Sequence, residues 1–216
     1  MTDGDLTLWG VGTPRTMRAH WMLLEFGLDY RMRPIGARTG ETRSEAFLAL
    51  NPKHKIPVLE HGPLVLSESA AIVTYISERF APPAGFFIPR DVARRAALNE
   101  WCFFIMTELD AHTLYLIRRH ADLSDIYGTA PEAVESAKAY FGDQITALVA
   151  KFPGDRDFLM PEGASVADIL LTTCLESALR RRIPLPAPLL EYRERMTARP
   201  AWRRAFERNY PERTAP

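Results

Sequence analysis

The stretch from Asn51 to Ile76, NPKHKIPVLEHGPLVLSESAAIVTYI, constrains the fold of this chain more than any other. Asn51 and Pro52 form a turn, and a short strand follows Pro57. His61-Gly62-Pro63 marks a tight reversal, Leu64 to Leu66 a second strand, and a helix begins directly after it. Ser67 and Ser69 are both candidate caps, because a serine oxygen can accept an orphaned backbone N–H. Glu68 is expected in the first turn, where the helix dipole favours a carboxylate. Ile72, Val73, Ile76 and Phe80 fall on one face at helical spacing, so this helix must pack against the strands before it.

The residues upstream supply the other half of a small α/β layer. Leu6 to Trp9 reads as a strand. Thr13 is the expected N-cap of the next helix, with Pro14 at its first position, where a missing N–H costs nothing. Met17, Trp21, Leu24 and Leu28 recur at spacings of four, three and four, and Gly27 suits the helix end. Tyr30 and Met32 alternate with Arg31 and Arg33 as a second strand expected to stop at Pro34. A short helix is expected from Ser44 to Leu50. The order strand, helix, strand, short helix, hairpin, helix is that of a thioredoxin-like fold.

Asn-Pro, then Ile-Pro-Val-Leu, then Ser-Glu-Ser-Ala-Ala-Ile at this separation resembles the N-terminal, thioredoxin-like domain of the cytosolic glutathione transferases. The resemblance implies that Pro57 follows a cis bond and that the backbone of Ile56 meets the cysteinyl part of glutathione as an added strand would. It also implies that Glu68 and Ser69 grip the γ-glutamyl end. That end carries an ammonium and a carboxylate, so it needs an anion beside donors; Glu68 offers the first, and the Ser69 hydroxyl with the first helical N–H groups the second. His54 stands in a delta-like Asn-Pro-x-His-x-Ile-Pro pattern, which implies contact with the glycine carboxylate. Lys55 or Arg38 could do the same.

Thr13 is the candidate for the chemistry. A thiol attacks as its thiolate, and with a pKa near 8.5 it is only slightly ionised at neutral pH. A hydroxyl donor at a helix N-terminus favours the anion. In the serine-type tau and zeta classes a serine in Ser-x-x-x-x-Arg holds the matching place, with Arg18 as the arginine here. Threonine is a departure from the usual serine, tyrosine or cysteine, and Gly12 or Thr16 could stand nearer the sulfur.

From Ala81 to Pro89 the chain reads APPAGFFIP and periodicity lapses, which divides it into a thioredoxin-like glutathione-binding domain (1–81), a linker (82–90) and an all-helical domain (91–216). In the helical part Leu98, Trp101, Ile105 and Leu109 form a core stripe. Phe103, Met106 and Asp110 lie on another face, which the resemblance assigns to a pocket for the electrophilic substrate. Thr129-Ala130-Pro131 opens a further helix, Pro153-Gly154 is an expected turn, and Ser165 to Asp168 spells a capping box with Asp168 in place of glutamate. Arg180, Arg181 and Arg182 suit a helix C-terminus rather than a nucleic-acid patch.

Composition removes other classes. Lysine and arginine number 27, aspartate and glutamate 27, so the net charge is zero and nothing recruits nucleic acid or an anionic membrane by bulk electrostatics. The apolar runs are too short for a membrane span, and the polar start MTDGD is unlike a signal peptide. Two distant cysteines, Cys102 and Cys174, form no metal or redox motif, so a reducing cytoplasmic setting with no metal or redox cofactor is expected. The resemblance implies a homodimer that joins glutathione, as cosubstrate, to a small hydrophobic electrophile. A glutathione-dependent disulfide reductase, peroxidase or isomerase, and a non-catalytic binding or scaffold protein, are the alternatives.

Overall fold

The computed structural model describes residues 5–152 and 156–214. The start MTDGD, up to Gly4, and the Pro153-Gly154 turn lie outside the described residues. The chain divides into two compact units, Met1–Ile88 with Thr197–Pro216, and Pro89–Met196.

In the first unit β1 (Leu6–Val11), α1 (Pro14–Glu25), β2 (Arg31–Gly36), a 3-10 turn (Glu41–Arg43), α2 (Glu45–Leu50), β3 (Val58–His61), β4 (Leu64–Ser67) and α3 (Ser69–Arg79) follow in the expected order. The sheet order is β2-β1-β3-β4. β1 runs parallel to β2, with Leu8 opposite Met32, and antiparallel to β3, with Leu8 opposite Leu59. β3 and β4 form the hairpin, with Leu59 opposite Leu66. This thioredoxin-like layer is the α/β part of the expected fold. Met17, Trp21 and Leu24 of α1 are buried, as are Ile72, Val73 and Ile76 of α3. On α2 Phe47 packs with Ile56 and Val58, and its ring meets Trp9 edge-on at 5.9 Å.

Two local expectations are corrected. β2 does not stop at Pro34 but continues to Gly36. It is the edge strand, and its register against β1 shifts between Arg33 and Gly36, so Pro34 sits at an edge and an irregularity, where proline is tolerated. Neither Ser67 nor Ser69 caps α3: Glu68 is the N-cap, with no side-chain cap bond, and Ser69 is the first helical residue.

The second unit is helical: α4 (Val92–Phe104), α5 (Tyr115–Ile117), α6 (Ser124–Tyr127), α7 (Pro131–Lys151), α8 (Val166–Arg180) and α9 (Ala187–Thr197). Leu98, Trp101, Ile105 and Leu109 are buried as the stripe requires, with Val134, Phe141, Ile145 and Leu148 from α7. After Phe104 the helix widens into a π-helical stretch, Ile105–Leu114, which periodicity did not foretell. At the start of α8 Asp168 is wholly enclosed. Its carboxylate accepts from the backbone N–H groups of Ser165 (2.8 Å) and Leu159 (2.9 Å) and from the hydroxyls of Ser165 (2.7 Å) and Tyr192 (2.8 Å). At the other end of the helix Arg181 donates to the Ser177 carbonyl at 2.8 Å, as a cation at a helix C-terminus should.

The packing divides the chain differently from the sequence boundaries 1–81, 82–90 and 91–216. The final helices α10 (Pro200–Asn209) and α11 (Pro211–Thr214) group with the first unit. Trp202 of α10 meets Trp21 of α1 edge-on at 4.8 Å, and Arg199 pairs with Glu25. Helix pairing between such distant segments has no local sequence signature, which is why a boundary drawn from composition alone misses it.

Candidate functional site

The candidate site in the first unit is built on the N-terminal ends of α1 and α3, two helices that pack on each other. From the last residues of β1 into α1 the chain passes through Gly10, Val11, Gly12 and Thr13. Gly10 has φ +110° and lies so close to the loop before β3 that a Cβ there would come within 2.5 Å of the Ile56 Cβ. Glycine is therefore required for this close approach.

Thr13 caps α1 as expected. Its hydroxyl oxygen accepts from the Thr16 N–H at 3.0 Å, and the Thr16 hydroxyl oxygen accepts from the Thr13 N–H at 3.0 Å, a capping box made of two threonines. The three residues named for the sulfur differ in their hydrogen-bond partners. Thr16 is fully buried and its hydroxyl donates to Asn209 Oδ1 at 2.6 Å, so its proton is used inside the protein. The Gly12 N–H donates to the Asn209 carbonyl at 2.8 Å. The Thr13 hydroxyl lies 3.0 Å from Thr16 Oγ1, and with the Thr16 proton given to Asn209 the Thr13 hydroxyl is the donor of that pair.

Behind this loop His20 is buried with its Nε2 3.0 Å from the Gly10 carbonyl and its Nδ1 2.7 Å from the Tyr30 hydroxyl. The carbonyl can only accept, so Nε2 carries the proton and Tyr30 donates to Nδ1. Burial is the main reason that the His20 pKa falls from 6.5 to about 4; the Gly10 bond opposes the fall and the Arg208 charge adds to it. A depressed pKa means that between about pH 6.5 and about pH 4 the unfolded chain binds a proton that the folded chain does not, so stability is lost as pH falls through that window. The expected loss is about 3 kcal/mol, at 1.4 kcal/mol per unit. Denaturant titrations from pH 7 to pH 4 should show this slope in the wild type and a smaller one in His20→Asn, whereas equal slopes would remove His20 as the cause.

The Ile56–Pro57 bond is cis, as the resemblance implies. The Asn51 side chain shapes the preceding turn by donating to the Lys55 carbonyl at 2.8 Å and accepting from the Lys53 N–H at 3.2 Å. His54, partly buried, sits in this turn with φ +43°, while Lys55 is exposed. Arg38, the other candidate cation, has φ +70° in the loop after β2.

Glu68 adopts φ +75°, ψ 116°, a conformation that costs a non-glycine residue about 1–3 kcal/mol and that clusters at ligand sites. Its carboxylate is exposed and pairs with Lys53 at 2.7 Å. The adjacent Ser69 is buried, and its hydroxyl accepts from Arg18 Nη1 at 3.2 Å. Arg18 itself is almost wholly buried, so the arginine of the Thr-x-x-x-x-Arg segment ties α1 to the start of α3.

In the helical unit Phe103 is 66% exposed, Met106 is partly buried and Asp110 is buried. The shared face inferred from spacings of three and four holds only for an α-helix; from Ile105 each turn takes up more residues and the register drifts. Burial pushes the Arg181 pKa down, and the Asp122 carboxylate, with a smaller contribution from Asp110, opposes it inside this unit.

Thus the structure brings Thr13, Arg18, Ser69 and Glu68 to the neighbouring starts of two helices, beside a cis-proline loop. Sequence reasoning did not find Asn209, His20 or Tyr30, which hold the Gly10–Thr13 loop from behind. The long-range pairing of Asn209 leaves no local signal, although a histidine on the apolar face of α1 was a sign of a buried polar contact.

A thioredoxin-like layer with a cis-proline loop and an acid–serine helix start defines the class of fold. Comparison with known proteins narrows it. Residues 4–78 match the family model described as the glutathione S-transferase N-terminal domain. Glutathione S-transferase D7 of Drosophila melanogaster is 31% identical over 171 residues, 77% of this chain and 72% of that protein. Maleylacetoacetate isomerase of Pseudomonas aeruginosa is 29% identical over 88% of this chain and 89% of its own length. Glutathione S-transferase theta-1 of Bos taurus is 28% identical over 68% of this chain, and the match spans only 61% of that relative. Among solved structures, a glutathione transferase homolog from Lodderomyces elongisporus, described with two glutathione molecules per subunit, superimposes with a TM-score of 0.84 at 20% identity, covering 94% of this chain and 98% of that one. The chain belongs to the cytosolic glutathione S-transferase superfamily.

Proposed function

We propose that this protein is a glutathione transferase that ionises the glutathione thiol at Thr13 and directs the thiolate to a small hydrophobic electrophile. The observation that carries this reading is the Thr13 hydroxyl. It lies at the mouth of α1, its oxygen is held by the Thr16 N–H, and its proton is the one hydroxyl proton of the loop not consumed by Asn209. A donor there, together with the partial positive charge of the helix end, stabilises a sulfur anion.

The rest of the cosubstrate follows the chemistry of the chain. The exposed Glu68 carboxylate suits the γ-glutamyl ammonium. Lys53 holds that place with a surface ion pair worth about 0–1 kcal/mol, which the ligand ammonium exchanges at little cost. Ser69 and the first N–H groups of α3 suit the γ-glutamyl carboxylate, Ile56 beside Pro57 the cysteinyl backbone, and His54 the glycine carboxylate. The reading requires no metal or redox cofactor, since thiolate addition needs only positioning and anion stabilisation. Phe103 and Met106 are the proposed apolar contacts for the electrophile, a homodimer is the proposed assembly and the cytoplasm the proposed compartment. Among the described residues no helix is long and apolar enough to cross a membrane.

Isothermal titration with glutathione tests the binding half. Glu68→Gln removes the charge from an exposed site and should weaken affinity about tenfold. Unchanged affinity would take Glu68 out of the site. Conjugation assays run beside disulfide-reduction, peroxidase and maleylacetoacetate-isomerisation assays test the reaction half. The similarity to a maleylacetoacetate isomerase keeps isomerisation as the second reading. Glutathione binding without turnover in any assay would favour a binding protein.

A further inference from the structure

The end of α10 grips the Gly10–Thr13 loop through groups that the thiol chemistry above does not use. Asn209 is fully buried. Its Oδ1 accepts from the Thr16 hydroxyl at 2.6 Å and from the Gly12 N–H at 3.2 Å, its Nδ2 donates to the Thr13 carbonyl at 3.1 Å, and its own carbonyl accepts from the Gly12 N–H at 2.8 Å. The amide orientation follows from its partners: turned over, the NH2 would face the Gly12 N–H and the oxygen would face the Thr13 carbonyl. The preceding residue, Arg208, lies with its guanidinium 5.1 Å from the Tyr30 ring, and Tyr30 reaches Gly10 through His20. The loop is thus held at both ends from one helical turn.

We propose that Asn209 is a positioning residue for Thr13, fixing from the C-terminal helix both the backbone of the loop and the direction of the Thr13 hydroxyl proton. The hydrogen-bond inventory gives the reason. Thr16 Oγ1 has one proton, which Asn209 Oδ1 takes at 2.6 Å in competition with the Thr13 carbonyl at 2.9 Å. Thr16 Oγ1 is then an acceptor only, receiving the Thr13 N–H and, with no ligand bound, the Thr13 hydroxyl proton. The Thr13 oxygen accepts from the Thr16 N–H, and with the Thr16 proton directed to Asn209 the Thr13 hydroxyl is the donor of the pair, which is the role a thiolate requires. Without the Asn209 side chain, the Thr16 proton is shared between the Thr13 carbonyl and the Thr13 hydroxyl oxygen, the carbonyl loses the Asn209 amide donor, and Gly12 keeps only the backbone bond.

This inference rests on the proposed role of Thr13, and the experiment separates the two. The thiolate of bound glutathione is titrated by ultraviolet absorbance in wild type, Thr13→Ala, Asn209→Ala, Asn209→Asp and the Thr13→Ala/Asn209→Ala double variant, each with conjugation kinetics. Asn209→Ala should move the thiol pKa toward that of free glutathione and lower kcat about tenfold, with KM for glutathione little changed. The double variant should lose no more than Thr13→Ala alone, because residues acting as one unit are not additive. Asn209→Asp keeps both acceptor contacts and tests the site if the alanine variant does not fold. Its carboxylate facing the Thr13 carbonyl should raise the thiol pKa as well. If the wild-type pKa is depressed and neither Asn209 variant moves it, or if the two losses add, Asn209 only supports the fold and the inference is overturned. A wild-type pKa equal to that of free glutathione overturns the proposed function and the inference with it.

Discussion

Asp168→Ala is expected to destabilise the protein by about 3–5 kcal/mol. The carboxylate collects four donors in a wholly buried position: two backbone N–H groups, the Ser165 hydroxyl and the Tyr192 hydroxyl. Alanine would leave these groups without a partner and out of reach of water, and each buried donor left unmade costs about 1–3 kcal/mol. Part of that loss is returned, because burial pushes the Asp168 pKa up and the folded protein no longer has to hold a desolvated charge. Tyr192→Phe removes a single donor and leaves the other three, so it should cost about 1–2 kcal/mol. Denaturant midpoints of the two variants beside the wild type check this. An Asp168→Ala midpoint equal to that of Tyr192→Phe would mean that the carboxylate does not organise the start of α8.

Thr13→Ala is expected to lower kcat/KM for glutathione conjugation on the order of 10²-fold, the usual effect of removing one donor aimed at a developing or stabilised anion. Affinity for glutathione should change little, because Glu68 and Ser69 lie at the start of α3 and keep their own contacts. Thr13→Ser retains the hydroxyl and should stay close to wild type, since the methyl group makes no hydrogen bond and only restricts χ1. Loss of the cap should cost about 1 kcal/mol of stability, too little to explain a kinetic loss of that size in a folded enzyme. Equal steady-state activity of Thr13→Ala and wild type would remove the hydroxyl from the mechanism.

The parts of the protein that were legible in the sequence are those that local chemistry controls. The Thr13 cap with Pro14, the strand after Pro57, the apolar faces of α1 and α3 and the Ser165–Asp168 capping box all announce themselves within a few residues. Glu68 shows where such reading stops. Serines on both sides looked like the better caps, but the structure places the carboxylate at the N-cap in a positive-φ conformation that no propensity favours. Pro34 marked a strand end only on the assumption of an interior strand, and the sheet order makes β2 an edge. The widening of the helix after Phe104 breaks the spacing that grouped Phe103, Met106 and Asp110. The grip of Asn209 on Gly12, Thr13 and Thr16 spans nearly the whole chain, and nothing local in either segment points to the other.

The most direct test of thiol activation is an ultraviolet titration of glutathione bound to the wild-type protein, with Thr13→Ala beside it. A thiol pKa well below the free value of about 8.5, returning toward it in the variant, is the expected result. A bound thiol that titrates like free glutathione in the wild type, or a depressed pKa that Thr13→Ala leaves in place, would contradict activation of the sulfur by Thr13.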